Sequence, residues 1–463
     1  KNVHYSILRC LMIVQTRKSL PTKPGYLLFN SKEIQSNILN FYNRMWKEYG
    51  DIVKLPILPN YSSYLVAHPI YAEHVLFTHQ ELYPKPDIIN KPLNLMMGES
   101  ILTAEGDSWL KNRRLMQPAF HMKQLASLAD VMVRCTESFI KEWEDKPDGE
   151  IIDIAEETLK LTLKIAGQTL FSKDISDDNS VLGKAFRTGY EFIDYKINNL
   201  WTEPLWVPTS RNTDFKKAKK TLDDLILDII NYRRQNPSER NDLLSMLMSA
   251  RDADTGEGMN DKQLQNEAIT LLVAGHETAA SSLAWTWYLL AEHSHVADKL
   301  QEELRMVLNG NNPSFEKLPQ LEYTRRIFDE TLRLYPPAWG IVRTPEKDDE
   351  INGYLIKKNS IVTVGTFMIH RHPEFWENPD KFDPDNFLPE KVNQRPKFAY
   401  LPFGGGKRIC IGQNFALMEA TIIIALISQR FKLELLPNKN IEIDPTFTLR
   451  PKNGIKVKVW KRK

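Results

Sequence analysis

The sequence predicts a mainly α chain with small β-sheets, an α+β fold, and two observations carry that prediction. Apolar residues recur every three to four positions through 125–143, 151–170, 181–198 and 214–235, and again through a long run after Asn260. Runs of β-branched and aromatic residues are few, short and bounded by proline, glycine or asparagine. With 463 residues and 42% hydrophobic residues the chain carries enough apolar side chain for a large core, either as two domains or as one large fold.

Charge and cysteine content exclude several classes. A formal net charge of +2 gives no argument for nucleic-acid binding. Three cysteines (Cys10, Cys135 and Cys410) form an odd set without paired spacing, which argues against a disulfide framework and for a reducing compartment. No stretch reaches the roughly 18 to 20 apolar residues that cross a bilayer, and the apolar run at 5–14 is short and broken by Arg9. The expectation is a soluble, cytoplasmic protein; because the chain starts at Lys1 rather than Met, an anchor upstream of it stays open.

Taken in order, Pro21, Pro24 and Gly25 mark a stiff entry segment within 1–30, followed by a helix over 31–50. Residues 52–55 and 64–66 read as a hairpin. Between 82 and 103 the periodicity is lost: Pro84, Pro86, Pro92 and Gly98 interrupt an apolar set that includes Leu95, as in a loop that covers a site or packs on the core. A helix capped by Asp107 sets Trp109 and Arg113 one turn apart, an indole N–H and a guanidinium suited to a carboxylate partner. The apolar, proline-broken stretch 200–208 reads as a lid, a membrane-touching patch or plain core.

After Asn260 and Gln263, a capping-box-like start, a helix of about 30 residues is expected to run through the core. Its interior breaks local rules: Gly275 costs about 1 kcal/mol against alanine, and Glu277 and Thr278 set polar groups in an apolar element. Rules broken together point to function. Ala274 and Gly275 leave room, Thr278 can donate a hydrogen bond and Glu277 can relay protons, whereas His276 reads as a satisfied core histidine.

Further on, Glu330 and Arg333 lie one helical turn apart and can pair. Ala338, Trp339, Gly340, Ile341 and Val342 read as an apolar strand ending in Arg343. Strands follow at 353–355 and 361–364, then a proline-rich meander over 370–389. His370 and His372 lack a third ligand in spacing, so they are not read as a zinc pair. Strands at 431–436 and 455–460 are joined by a loop around Phe447 and Leu449, whose tip lines a pocket or packs in the core.

The stretch from Phe403 to Gly412 organises the rest. It sets Cys410 between Gly404, Gly405, Gly406 and a helix over 413–430, at a helix N-terminal edge that favours a thiolate, a soft metal ligand. Phe403, Gly406, Arg408, Cys410 and Gly412 match F-x-x-G-x-R-x-C-x-G, and Ala274 to Thr278 match A-G-x-[D/E]-T. From about residue 31 onward the chain resembles the cytochrome P450 family of haem-thiolate monooxygenases, in particular the soluble bacterial fatty-acid and terpene hydroxylases.

That resemblance implies a triangular helical prism around a buried haem b (iron protoporphyrin IX), in a single catalytic domain over 1–463. Cys410 would be the axial metal ligand, with Phe403 and Gly406 beside it. Trp109, Arg113, Arg343 and Arg408 would hold the propionates. Ala274 and Gly275 would border the haem, while Glu277 and Thr278 would be catalytic, delivering protons for O–O cleavage. Glu330 and Arg333 would brace the cysteine loop together with an arginine of a P-E-R-F-like segment, where this chain has Asn386. Ala338, Trp339, Ile341, Phe447 and Leu95 would line the pocket of a small hydrophobic substrate hydroxylated with O2.

No reductase fits after Lys463, so electrons are expected from a separate ferredoxin, flavodoxin or reductase. Lys111, Arg114, Lys123, Lys407 and Arg408 offer it a basic face. A monomer without nucleic acid is expected. A peroxide-driven peroxygenase or isomerase is the first alternative, opposed by the Glu277–Thr278 pair. A haem sensor or lipid carrier is the second.

Overall fold

The protein is described from a computed structural model, which covers residues 18–26, 33–34, 37–59, 61–176, 181–199, 202–236, 242–437, 441–445 and 448–462. The apolar run at 5–14, Cys10, the start of the helix expected at 31, residues 200 and 201, and Phe447 lie outside them.

Helix α1 (Ile38–Tyr49) starts at Asn37, whose side chain accepts from the Asn40 N–H, and leads into the hairpin of β1 (Ile52–Leu58) and β2 (Tyr61–Val66). Helices α2 (Asp87–Met97), α3 (Gly106–Met116) and α4 (Met122–Glu144) follow, then strand β3 (Glu150–Asp153) and helix α5 (Ile154–Phe171). Next come α6 (Val181–Asn198), α7 (Ser210–Gln235) and the long α8 (Asp261–Glu292), whose Asn260 cap accepts from the Gln263 N–H at 2.8 Å. Helices α9 (Ser294–Val307) and α10 (Glu322–Leu334) precede the short strands β4 (Ile341–Arg343), β5 (Asp349–Ile351), β6 (Tyr354–Ile356) and β7 (Ile361–Val364). Helix α11 (Gln413–Arg430) and strands β8 (Phe431–Leu435), β9 (Ile443–Pro445), β10 (Leu449–Pro451) and β11 (Lys456–Lys461) close the chain.

One sheet runs β1-β2-β7-β4, with β2 and β7 parallel and Ser63 opposite Ile361; another runs β3-β11-β8, antiparallel throughout. The main core gathers the inward faces of α4, α5, α8 and α11. Helices α8 and α11 are buried on nearly every side, which is why neither shows the one-sided apolar stripe of a surface helix. Among the described residues no helix is long and apolar enough to cross a membrane.

Four expectations need correction. The apolar segment 82–103 is not a loop: it contains α2, and Leu93, Met96 and Met97 form its buried face despite Pro92. Proline costs that helix one main-chain bond, and burial of the face outweighs the loss. Residues 150–153 are a strand, because their partner is β11, more than 300 positions on. Asp107 sits in the first turn of α3 rather than at its cap, Glu105. The strand expected at 338–342 is only Ile341–Arg343, since Pro336, Pro337 and Gly340 keep the preceding backbone off the ladder.

Candidate active site

Cys410 is held by a loop that closes on itself: its N–H donates to the Phe403 carbonyl at 3.0 Å, and the Ile409 N–H donates to that of Gly406 at 3.2 Å. Cys410 is exposed although it sits deep among protein atoms. Burial pushes the thiol up, opposed by the Gly412 N–H and the Arg113 guanidinium. The helix N-terminus therefore does not by itself make a thiolate here. A bound cation would, since a coordinated thiol loses its proton.

Gly406 opens the single turn that precedes Cys410. It adopts φ 69°, and a Cβ there would overlap the Leu76 carbonyl oxygen, so its bareness serves the packing of the cysteine loop against residues 74–80. Phe403 is half-buried against the main core.

Around this loop the structure gathers cations. Arg113 donates from Nη1 to the Ile409 carbonyl, next to Cys410, at 2.9 Å. Arg408 donates to the Ala104 carbonyl at 3.0 Å, pairs with Glu105 and lies with its Cζ 4.4 Å from the centre of the Trp109 ring. Arg343 bonds only the neighbouring Val342 carbonyl among the described residues, and burial first, then the Arg408 charge, pulls it down to about 10. Lys85 joins them. Its ammonium donates to the Leu102 carbonyl and stands 3.9 Å from Glu105, and burial followed by the charge of Arg408 pulls it down to about 7. Three cations thus share one carboxylate, and like charges have been brought together out of water.

On α8, Ala274 is exposed and Gly275 and Thr278 half-buried in a helix otherwise walled in, and a Cβ at Gly275 would meet nothing within 4 Å. Thr278 donates its hydroxyl to the Ala274 carbonyl at 2.8 Å. Glu277 is buried, and its Oε1 accepts from the Thr448 hydroxyl at 2.9 Å. Burial raises its carboxyl above the usual range, while Tyr190, Thr448 and Arg450 pull the other way. The Tyr190 hydroxyl is near enough to act on Glu277 but falls outside hydrogen-bond geometry, so we count it as a neighbour and not as a bond. His276 is buried edge-on to Phe186, with ring centres 4.9 Å apart, and burial pulls it down to about 4, a neutral core histidine.

Glu330 and Arg333 are wholly buried and pair through two bonds of 2.7 Å. Arg333 also donates to the carbonyls of His370, Pro379 and Lys381 at 2.9, 2.6 and 2.9 Å. Asn386 reaches Glu330 at 3.1 Å, and the ring of His370 accepts from the Leu401 N–H at 2.9 Å. The pair is therefore tied through the meander to the start of the cysteine loop. His372 lies elsewhere, with its Nε2 3.1 Å from Asp51 and near His68. In both rings Nδ1 accepts a main-chain N–H, which leaves the proton on Nε2 and no lone pair there for a cation.

Of the expected pocket residues, Trp339 packs with Leu39, Phe367 and Met368, tilted on Tyr42 at 6.1 Å. Ile341 packs in the cluster under the first sheet, Ala338 is exposed, and Leu95 is half-buried on the main core. A small cavity is lined by Leu93, Met96 and Met97 of α2, Tyr190, Ile193 and Asp194 of α6, and Val273 of α8. Sequence reading passed over these because prolines masked α2 and because α6 offered no motif.

The family profile described as Cytochrome P450 matches residues 19–459. The chain belongs to the cytochrome P450 family. It is 33% identical over 411 residues to Cyclooctatin synthase of Streptomyces melanosporofaciens, covering 87% of each chain. It is 32% identical over 397 residues to Cyclooctat-9-en-7-ol 5-monooxygenase of the same organism, covering 85% of this chain and 84% of the relative. The crystal structure of the cytochrome P450DA heme domain superposes with a TM-score of 0.86 at 24% identity, over 96% of this chain and 98% of that one, and shows the same fold.

The protein is a cytochrome P450 monooxygenase, and a P450 holds its haem through a thiolate. The residues present fit that group on three counts. Cys410 is exposed although deep in the fold, the empty side of Gly275 leaves space on the central helix, and the excess of cations around Glu105 calls for an anion that two propionates would supply. Lys85 is the member sequence reading missed. A lone lysine between Pro84 and Pro86 carries no pattern, and only the fold brings it to Arg343 and Arg408.

The basic face expected to meet an electron carrier is largely paired. Lys111 bonds Glu257 at 2.8 Å, Arg114 bonds Asp254 at 2.5 Å and Lys407 bonds Glu81 at 2.6 Å, which blunts its net charge. Lys123 is exposed.

Proposed function

We propose that this P450 hydroxylates a small apolar molecule of fatty-acid, terpene or other lipid type, with O2 as oxidant and electrons from a separate ferredoxin, flavodoxin or reductase. The observation that carries the reading is the half-buried cluster of Lys85, Arg343 and Arg408 around Glu105, bonded through Arg408 and Arg113 into the loop that holds Cys410. Haem b would be held by Cys410 through sulfur, by Arg113, Arg343, Arg408, Trp109 and Lys85 at its propionates, and by Ala274 and Gly275 across its open face. When bound, it supplies the activation of O2 and the insertion of one oxygen atom into a C–H bond.

The chain's own residues do the rest. Leu93, Met96, Met97, Ile193 and Val273 give the space beside the central helix an apolar wall, which would exclude water and face an apolar substrate. Thr278, whose hydroxyl donates to the Ala274 carbonyl at rest, would give up that bond to donate a hydrogen bond on the empty side of the helix. Glu277 holds a proton that it gives up inward. The Glu330–Arg333 pair keeps the cysteine loop in place. The relative whose printed name specifies a cyclooctatenol supports a cyclic hydrocarbon bearing at most one hydroxyl as the first class to try. We take residues 1–463 as one catalytic domain, acting as a monomer.

The test has two arms. The reduced, haem-loaded protein under carbon monoxide is expected to show the red-shifted absorption of a thiolate-ligated haem, and its absence would overturn the assignment of Cys410. Turnover of cyclic terpene alcohols and fatty acids is expected with a redox partner and O2. Product formed faster with peroxide alone would favour the peroxygenase reading instead.

A further inference from the structure

The segment Thr448, Leu449 and Arg450 clamps α8 along the turns that follow the notch. The Thr448 hydroxyl donates to Glu277 at 2.9 Å, and the Leu449 carbonyl accepts from the Ser281 hydroxyl at 2.6 Å and from the Trp285 indole at 2.9 Å. Arg450 brings its Nη1 to 3.9 Å from the same Glu277 oxygen. Across the β9–β10 pair Arg450 stands opposite Asp444 and bonds it at 3.1 Å. Side-chain exposure rises along this row, from 9% at Glu277 to 38% at Arg450, so a line of ionisable groups leads from the buried notch to solvent.

We propose that the C-terminal hairpin is the device that holds Glu277 at rest and decides when it ionises, with Arg450 and Thr448 as positioning residues for the proton-carrying carboxyl. The inference rests on the reading of Glu277 as that carrier. The other Glu277 oxygen is buried without a hydrogen-bond partner among the described residues, so the carboxyl is held from the hairpin side alone. The groups that face it are Tyr190 and Asp194 of α6 and Thr448 and Arg450 of the hairpin, with Asp444 behind Arg450. Burial and Asp194 favour the protonated acid, whereas Tyr190, Thr448 and Arg450 favour the carboxylate. Tyr190 and Asp194 also line the small cavity, so a molecule entering there touches the same groups that tune the acid.

The hairpin thus sets two things. It turns Glu277 away from Thr278, whose hydroxyl is occupied with the Ala274 carbonyl, and it offers the carboxyl a cation on the solvent side. Proton delivery then requires Glu277 to leave Thr448, give its proton inward and return to be reprotonated beside Arg450.

The experiment follows the carboxylic acid band of Glu277 by isotope-edited infrared titration of the haem-loaded protein, beside the pH profile of coupled turnover. The band is expected to vanish in Glu277→Gln. In Arg450→Gln and Thr448→Val it should titrate at higher pH, by about one unit for Arg450→Gln, and the alkaline limb of coupling should move with it. Arg450→Lys restores the wild-type titration. Lys452→Gln, which breaks an exposed pair with Glu442 on the same hairpin, leaves it unmoved. A hairpin that only stabilises the fold would lower the unfolding temperature without moving the band, and that result overturns the proposal. A titrating band that survives Glu277→Gln would overturn the carrier reading itself, and the proposal with it. Thr448→Val removes one hydroxyl at constant shape, so it keeps the test decisive if Arg450→Gln fails to fold.

Discussion

Asn386 donates its side-chain N–H to Oε1 of Glu330 at 3.1 Å, in the place where the family pattern has an arginine. The amide supplies a bond but no charge. A further cation is Arg395, which donates to the Asn386 carbonyl, lies 3.9 Å from the centre of the Trp376 ring and is attracted by Glu330 from outside the pair. The brace is therefore a buried ion pair with an amide inside it and a guanidinium behind it.

Replacing Asn386 by leucine takes one donor from a wholly buried carboxylate that keeps Arg333 and the Asp383 N–H. Urea unfolding is expected to show a loss of about 1–3 kcal/mol, with faster haem loss at unchanged sequence around Cys410. Unchanged stability would mean that Glu330 is satisfied without the amide.

Lys85 gives haem binding a pH dependence with a defined sign. In the haem-free protein its ammonium is pulled down to about 7, and two propionates would raise it again. Below that value Lys85 is already charged, so binding takes up no proton. Above it binding must take one up, and haem affinity falls as pH rises. Titration of the haem-free protein across pH 6 to about 9 checks this, and Lys85→Met is expected to bind more weakly with a flatter profile.

Thr278→Ala removes a hydroxyl whose only bond among the described residues is to its own helix, so the unfolding free energy should stay within about 1 kcal/mol of wild type. Haem should still bind. The ratio of product to electrons consumed is expected to drop several-fold, and an unchanged ratio would remove Thr278 from the proton path.

Glu267, one of the most buried carboxyls, accepts from the Ile101 N–H at 2.9 and 3.0 Å and from the Asn112 side chain at 2.9 Å. Burial raises it to about 8 from an ordinary 4.5, so between those values the folded state holds a proton that the unfolded chain has lost. Stability therefore falls as pH rises through that window. Glu267→Gln, neutral at every pH, should unfold at a temperature that varies less between pH 5 and about 8.

What the sequence showed and what it hid divide by distance along the chain. Cys410 with its flanking glycines, the Glu330–Arg333 turn, and the notch from Ala274 to Thr278 sit in motifs of ten residues or fewer; broken local rules marked the notch, and the likeness of the short patterns to a known family marked the other two. Thr448 and Arg450 meet Glu277, and Lys85 meets Arg343 and Arg408, across far larger spans, 171 positions for Thr448, and no period or spacing encodes such a meeting. Helix α2 was hidden by Pro92, although its buried Leu93, Met96 and Met97 keep the helical interval. Strand β3 was read as helix because two isoleucines in a row fit either pattern, and only the pairing with Val457 and Lys458 decides.

That pairing has a consequence during synthesis. Asp153 accepts from the Ile455 N–H at 2.9 Å across 302 positions, and among the described residues β3 pairs with no strand but β11. At ~5–20 residues per second a ribosome leaves the β3 edge bare for roughly 15 to 60 s, a time in which nascent-chain chaperones have something to shield. Any message cut short before the codon for Lys456 makes that exposure permanent, even though it still encodes the cysteine.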